Sequence, residues 1–375
     1  MEPFKNWLSP ELVVCIADHL QTHVDEFDRP SFEQPVLAAL PALELKQRAQ
    51  CIADHIHAAL PADFASRNKI LRAMLHPDAE NGFDGGSDGA GLRGWGIYPL
   101  TIVVGQHGLA DFDASLELLK EMTKRGTSEF DVRPFLMADQ ARALAIINEW
   151  TVDANQHVRR CASEGTRPRL PWGMQLTGLV ADPAPLIPLL HALRDDPEEY
   201  VRRSVANSLN DIAKDHPDLV AELTHDWMKG ASKPRERLLR HACRTLIKQG
   251  HSHALAAFGI APPLLEFGPL TVQSPVVEFG DALEFSACIA SAAEKPQALI
   301  IDYIVHFKKA NGTQAGKVFK WKKLTLEAGQ SLKLSRKHPI RAITTRRYYA
   351  GQQAVSLRIN GKDFGRAEFE LRITE

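Results

Sequence analysis

The chain has 375 residues, 44% of them hydrophobic, and a formal net charge of −1 at pH 7. That length gives room for two or three domains with real cores, and the hydrophobic fraction excludes global disorder. No run approaches about 18 uninterrupted apolar residues, and the start, MEPFKNWLSPELVV, lacks a basic then apolar leader pattern, so neither a membrane span nor export is predicted.

Residues up to about Phe258 read as helices. Segments such as PELVVCIADHLQTHV, ALELKQRAQCIADHIHAAL and ASLELLKEMTKR repeat apolar positions at three and four, broken by Pro, Gly and Asp clusters. The stretch Asp78 to Pro99 is the one Gly-rich break; it lacks a GxxxxGK[ST] pattern and follows no predicted strand, so it reads as a loop rather than a phosphate cradle. Trp150, in NEWTVD, is open to two readings, core or second site aromatic. The five cysteines, Cys15, Cys51, Cys161, Cys243 and Cys288, are scattered, with no CxxC and no Cys/His pair at zinc-ligand spacing. Neither a disulfide framework nor a metal site is indicated, and a reducing cytoplasm is expected.

The segment His157 to Gly173, HVRRCASEGTRPRLPWG, is the most informative. A helix there places Arg160 and Glu164 at i and i+4 on one face, with Gly165 expected to end it in a left-handed cap. Arg167, Arg169 and Trp172 follow in a Pro-punctuated loop. A carboxylate, guanidinium groups and an indole at one helix end suit a polyanion and a cationic ring. The bland alternative is a structural Arg/Glu pair with Trp172 filling a core.

The second half of the helical region also repeats. Val158-Arg159-Arg160, Val201-Arg202-Arg203 and Leu238-Leu239-Arg240 recur at spacings of 43 and 37 residues, close to the HEAT or armadillo period. Helix pairs of this kind stack into a solenoid with a concave surface. After Pro262-Pro263, alternating segments such as ALIIDYIVHFKKANG and AEFELRIT, with Gly, Asn and Asp turns about every ten residues, predict a β-sandwich of the immunoglobulin-like type. The predicted fold is therefore multidomain, α then β: a HEAT-like α-solenoid over 1–260 and a β-sandwich over 263–375. From Tyr303 to Arg372 there are sixteen Lys/Arg against four Asp/Glu, so the near-neutral average hides a basic C-terminal domain.

Three blocks in order, SEFDVRPFL (Ser128 to Leu136), the His157 to Gly173 segment and YVRRSVANSLND (Tyr200 to Asp211), resemble the bacterial DNA alkylation repair glycosylases of the AlkC branch, HEAT-like relatives of AlkD. Some members carry an immunoglobulin-like domain at the same end. The resemblance implies a monofunctional DNA glycosylase that hydrolyses the N-glycosidic bond of cationic N3-methylated bases, 3-methyladenine and 3-methylcytosine, in an open cleft without a deep base pocket. It implies that Glu164 is the foremost catalytic carboxylate, with Glu129 and Asp211 as neighbours and Trp172 as aromatic wall. Asn207 stands where AlkD has one of its tryptophans, so that cleft does not carry over whole. Backbone contacts then fall to Arg159, Arg160, Arg167, Arg169, Arg202 and Arg203 on the solenoid, and to Lys320, Lys322, Lys323, Arg346 and Arg347 on the sandwich. FKWKK also fits an edge strand guarded by Lys. The expected partner is duplex DNA with alkylated bases or abasic sites, bound by a cytoplasmic, nucleoid-associated monomer with no cofactor and no metal. The alternative is a non-catalytic HEAT-repeat scaffold or nucleic-acid-binding module.

Overall fold

The computed structural model describes residues 3–79 and 85–373; residues 80–84 of the Gly-rich stretch lie outside the described residues. The first half is helical throughout: α1 (Pro10–His23), α2 (Arg29–Ala39), α3 (Leu45–Ala59), α4 (Phe64–Ala73), α5 (Ile97–His107), α6 (Phe112–Thr123), α7 (Arg133–Ala138) and α8 (Gln140–Glu149). On α1 one apolar stripe is buried, Val13, Ile16, Ala17 and Leu20, whereas α5 is buried on nearly every side. The HEAT-like repeats continue with α9 (Gln156–Gly165), α10 (Thr177–Ala181), α11 (Ile187–Leu193), α12 (Glu199–Ile212), α13 (Pro217–Met228) and α14 (Lys233–Ala242), followed by α15 (Arg244–Gln249) and α16 (Ser252–Ala257). The three repeat copies fall on α9, α12 and α14, and α12 packs against both of the others.

Two compact units result. Residues 1–215 join 232–242 in one, and 216–231 join 243–375 in the other, so α13, α15 and α16 belong with the strands. Asn360 is one tie inside that second unit: its Nδ2 donates to the carbonyls of Ala261 and Ala298, each at 2.9 Å, and its Oδ1 accepts from the Ile300 amide at 2.7 Å.

The strands are β1 (Leu265–Phe267), β2 (Thr271–Val272), β3 (Val276–Glu278), β4 (Ala282–Ser291), β5 (Gln297–Lys308), β6 (Gln314–Leu326), β7 (Ser331–Pro339), β8 (Gly351–Ile359) and β9 (Lys362–Arg372). One sheet gathers β1, β2 and β7 around β4, and the other runs β3-β9-β8-β5-β6, with β3 parallel to β9 and the rest antiparallel. Inward residues of both, among them Phe285, Leu334, Ile301, Val305 and Leu357, form one core. The β8–β9 hairpin turns on Asn360-Gly361, both at positive φ (46° and 81°), which is what an Asn-Gly two-residue turn supplies.

Two sequence expectations resolve here. Gly165 does not form a left-handed cap; it is the last residue of α9, and Thr166 caps with φ −93°. Thr166 Oγ1 donates to the carbonyls of Ala162 (2.7 Å) and Ser163 (3.2 Å), which satisfies the helix end without a left-handed residue. Glycine serves a different need: a Cβ at 165 would lie 2.6 Å from Val132 Cγ2, so its absence lets α9 rest on the turn before α7. Trp150 is 1% exposed and is core. Trp150→Ala should therefore cost about 3–5 kcal/mol in urea unfolding; an unfolding free energy equal to wild type would remove Trp150 from the core.

Candidate active site

Asn155 starts the site by capping α9, its Oδ1 accepting from the amides of His157 (2.8 Å) and Val158 (3.4 Å). The helical phase this fixes puts Arg160 and Glu164 on one face, 3.6 Å apart. Arg160 Nη1 also pairs with Glu129 Oε2, which accepts from Thr127 Oγ1 at 2.7 Å as well. Past the helix end, Arg167 turns back: Nη1 meets Glu164 Oε1 at 2.6 Å and Nε meets Asp211 Oδ2 at 2.8 Å. Ser204 Oγ of α12 donates to Glu164 Oε2 at 2.6 Å, and Lys214 Nζ reaches Asp211 Oδ1 at 2.9 Å. Acids and bases thus alternate, Glu129, Arg160, Glu164, Arg167, Asp211, Lys214. All three carboxylates are buried. Burial alone would lower the Arg160 pKa, but the Glu129, Tyr200 and Glu164 groups outweigh it and hold it above the usual arginine range.

Arg133, which sequence reasoning missed, is fully buried and makes no ion pair among the described residues. Its Nη1 donates to the carbonyls of Gly165 (2.8 Å) and Arg167 (2.9 Å), and its Nε donates to that of Met174 at 2.8 Å. One guanidinium fork therefore clamps both ends of the loop that carries Arg167 and Trp172. Burial and then the neighbouring Arg167 pull its pKa down to about 10, which leaves it charged at neutral pH.

Glu129, Glu164 and Arg167 form one wall of a cleft of about 510 Å³. Four aromatic side chains, Trp95, Tyr98, Phe130 and Trp172, join the lining. Close backbone approach makes room for them. Gly94 sits at φ +59°, and a Cβ on Gly126 would lie 2.7 Å from the Gly94 carbonyl. Trp172 is 69% exposed, so it is not core filler, and it stands at φ +66°, a conformation costing a bulky L-residue about 1–3 kcal/mol. Lys46 Nζ, from α3, donates to its carbonyl.

The other singled-out residues are placed as follows. Asp211 does not line the cleft; it lies against Arg167 from α12. Arg159 grips Asp196 (2.7 Å), Arg169 grips Asp215 (2.8 Å), and Arg202 Nη1 donates to backbone carbonyls, one of them Pro197 at 2.8 Å. Arg203 is exposed, and Asn207 Oδ1 lies 3.1 Å from His241 Nε2. In the second unit, Lys320 and Lys323 are exposed and Lys322 half-buried on β6, an edge strand. Arg346 stacks 3.9 Å from the Phe307 ring centroid, and exposed Arg347 lies 5.7 Å from that of Tyr349. Among the described residues no group of three or more His, Cys, Asp or Glu is placed to hold a metal ion, and no helix is long and apolar enough to cross a membrane. Of the residues the sequence reading missed, Phe130 of the cleft and Arg133 behind it lay inside the SEFDVRPFL block, and Trp95 and Tyr98 at the end of the Gly-rich stretch, aromatics beside glycines being the available signal. Lys46 gave none.

The chain is similar to known proteins along its whole length. The structure of Pseudomonas fluorescens alkylpurine DNA glycosylase AlkC bound to DNA containing an abasic site analog matches with a TM-score of 0.82 at 36% identity, over 99% of this chain and 100% of that one. An uncharacterized protein of Bacillus subtilis (strain 168), YhaZ, is 35% identical over 99% of this chain and 100% of its own length. Residues 127–246 match the DNA alkylation repair enzyme family, and 266–373 match the C-terminal Ig-like domain described for YhaZ. The chain belongs to the DNA alkylation repair enzyme family. Within this family member the turn, the helix and the loop that build the acidic wall all lie inside the matched segment.

One acid near the wall stands outside the ion-pair network. Asp131 is buried, its Oδ2 has no hydrogen-bond partner among the described residues, and burial, opposed by Thr101, pushes its carboxyl up to about 7. A carboxyl whose folded pKa is raised destabilises the fold progressively as pH rises from its unfolded value, about 3.9, to about 7. Asp131→Asn should therefore raise the melting temperature most at pH 8, with the gain shrinking toward pH 4; a gain independent of pH would refute the assignment.

Proposed function

We propose that this protein is a monofunctional DNA glycosylase that hydrolyses the N-glycosidic bond of cationic N3-methylated bases, 3-methyladenine and 3-methylcytosine, in duplex DNA and leaves an abasic site. The observation that carries the reading is a cleft where two carboxylates face four aromatic side chains in a family member similar from end to end to an alkylpurine glycosylase. A base that already bears positive charge leaves without a strong general acid. The reaction then needs negative charge near the deoxyribose C1′, where an oxocarbenium-like transition state develops, and a held water.

The side chains divide these tasks. Glu164 has both oxygens engaged, by Arg167 and Ser204, and is fixed as an electrostatic wall. Glu129 uses Oε2 for Thr127 and Arg160, and its Oε1 accepts no protein hydrogen bond among the described residues. That oxygen is the group we assign to the attacking water. Arg160 and Arg167 pair with both acids and orient them, while Asp211 pairs with Arg167 from α12. Trp172, with Tyr98 and Phe130, offers ring faces to a cationic base or the sugar. Approach from the sugar side, without a deep pocket, suits acids carried on a cleft wall.

Glu164→Gln should slow release of free methylated base from alkylated duplex by roughly 10² or more, the scale on which removing one transition-state electrostatic partner acts, while affinity for an abasic-site duplex stays near wild type. Turnover close to wild type in a folded variant would remove Glu164 from the mechanism. The basic sandwich is proposed to brace the DNA backbone, although Lys on the edge strand β6 also protects that edge. Replacing Lys320, Lys322 and Lys323 with Ala should weaken damaged and undamaged duplex alike, and flatten the salt dependence by about 0.9 for each phosphate no longer neutralised. An unchanged slope would leave edge protection as their role.

A further inference from the structure

We propose that Lys46 is a positioning residue: its ammonium, carried on α3, locks the carbonyl of Trp172 and so holds the indole where it meets a lesion nucleotide. The role at the lesion rests on the glycosylase reading above; the lock itself does not.

The turn that carries Trp172 shows why a lock is needed. The Gly173 amide donates to the Leu170 carbonyl at 3.1 Å, which closes Leu170-Pro171-Trp172-Gly173 as a β-turn. Proline fixes φ at about −65° in the second position, and Trp172 follows at φ +66°, so the turn is of type II. That type calls for Gly or Asn in its third position, where a positive φ then costs least. Here a tryptophan holds that position, and glycine comes one place later. The indole is mostly exposed, so packing does not fix it either. Arg133 clamps the carbonyls of Gly165, Arg167 and Met174, on both sides of the turn and none of them within it. The turn's own hydrogen bond uses Leu170 and Gly173, which leaves the Trp172 carbonyl to Lys46 Nζ.

Helix stability does not account for Lys46. It stands in the first turn of α3, at the positive end of the helix dipole, where a cation is disfavoured. It adds nothing to the cap, which its neighbours make between them: the Glu44 amide donates to Gln47 Oε1 at 2.9 Å. Glu44 pairs with Lys5 at 2.6 Å, and Lys46 has no ion pair among the described residues. Its contacts are those of the cleft it lines: the Trp172 carbonyl and, 5.9 Å from Nζ, the centroid of the Phe130 ring. One ammonium therefore joins two of the aromatic residues of the cleft, Trp172 through its backbone and Phe130 through its ring face.

The lock is read first without activity. In protein labelled with 5-fluorotryptophan, the Trp172 fluorine resonance, assigned by its loss in Trp172→Phe, should shift and broaden in Lys46→Met. It should return in Lys46→Arg, whose guanidinium still donates to a carbonyl. An unmoved resonance in Lys46→Met overturns the proposal. In release of free base from alkylated duplex, Lys46→Met should lower kcat/KM about tenfold in wild type but less than about twofold on a Trp172→Ala background, since a residue acting through Trp172 then has nothing to act on. Equal losses on both backgrounds overturn the proposal. So does an equal loss of affinity for damaged and undamaged duplex with a flatter salt dependence, which marks a phosphate contact. A shifted resonance in a protein that releases no methylated base would uphold the lock and sink the glycosylase reading instead.

Discussion

Everything in the site follows from a constraint on buried charge. Glu129, Glu164 and Asp211 are withdrawn from water, and carboxylates in such a place stay ionised only if cations and hydrogen-bond donors compensate them. Arg160 and Arg167 each bridge two acids, and Arg133 adds a third buried positive charge close by. Removing any one member leaves an uncompensated charge, at a cost on the order of 3–5 kcal/mol for a buried pair. The network therefore behaves as one object.

The compensation is directional. Glu129 and Glu164 stand on the cleft surface, while Arg160, Arg133 and Asp211 do not line it. Both acids reach the cleft surface with Arg167 and Lys46 also on its lining, while the charges of Arg160 and Arg133 stay off that surface. In the proposed reaction that arrangement favours the movement of positive charge from the leaving base onto the sugar in the transition state. The same clamp positions the aromatic partner: Arg133 holds the two ends of the 165–174 loop, and the strained backbone of Trp172 persists because that loop is over-determined.

Local physics was legible in the sequence and distant contacts were not. The Arg160–Glu164 pair follows from helical spacing, the succession α9, α12, α14 from the Val-Arg-Arg pattern of the first two and the related Leu-Leu-Arg of the third, and the β8–β9 turn from Asn-Gly. Gly165 misled because a glycine at a helix end usually means a left-handed cap; here Thr166 closed the helix and the glycine answered to Val132, 33 residues away. Arg133 was invisible for a related reason. Its partners are carbonyls 32 to 41 residues on, and no side-chain pattern records a carbonyl. The cleft aromatics, Trp95 and Tyr98, come from a segment whose glycines read as a loop, and their meeting with Glu129 and Trp172 is purely tertiary.

The most direct test of the acidic wall is a crystal structure of the protein with a duplex containing an abasic-site analogue. The analogue's C1′ position should lie against the wall, with an ordered water between it and Glu129 Oε1 and the Glu164 carboxylate still held by Arg167 and Ser204. An analogue bound with its sugar away from both carboxylates, or a cleft filled by protein side chains in the complex, would contradict that role for the two acids.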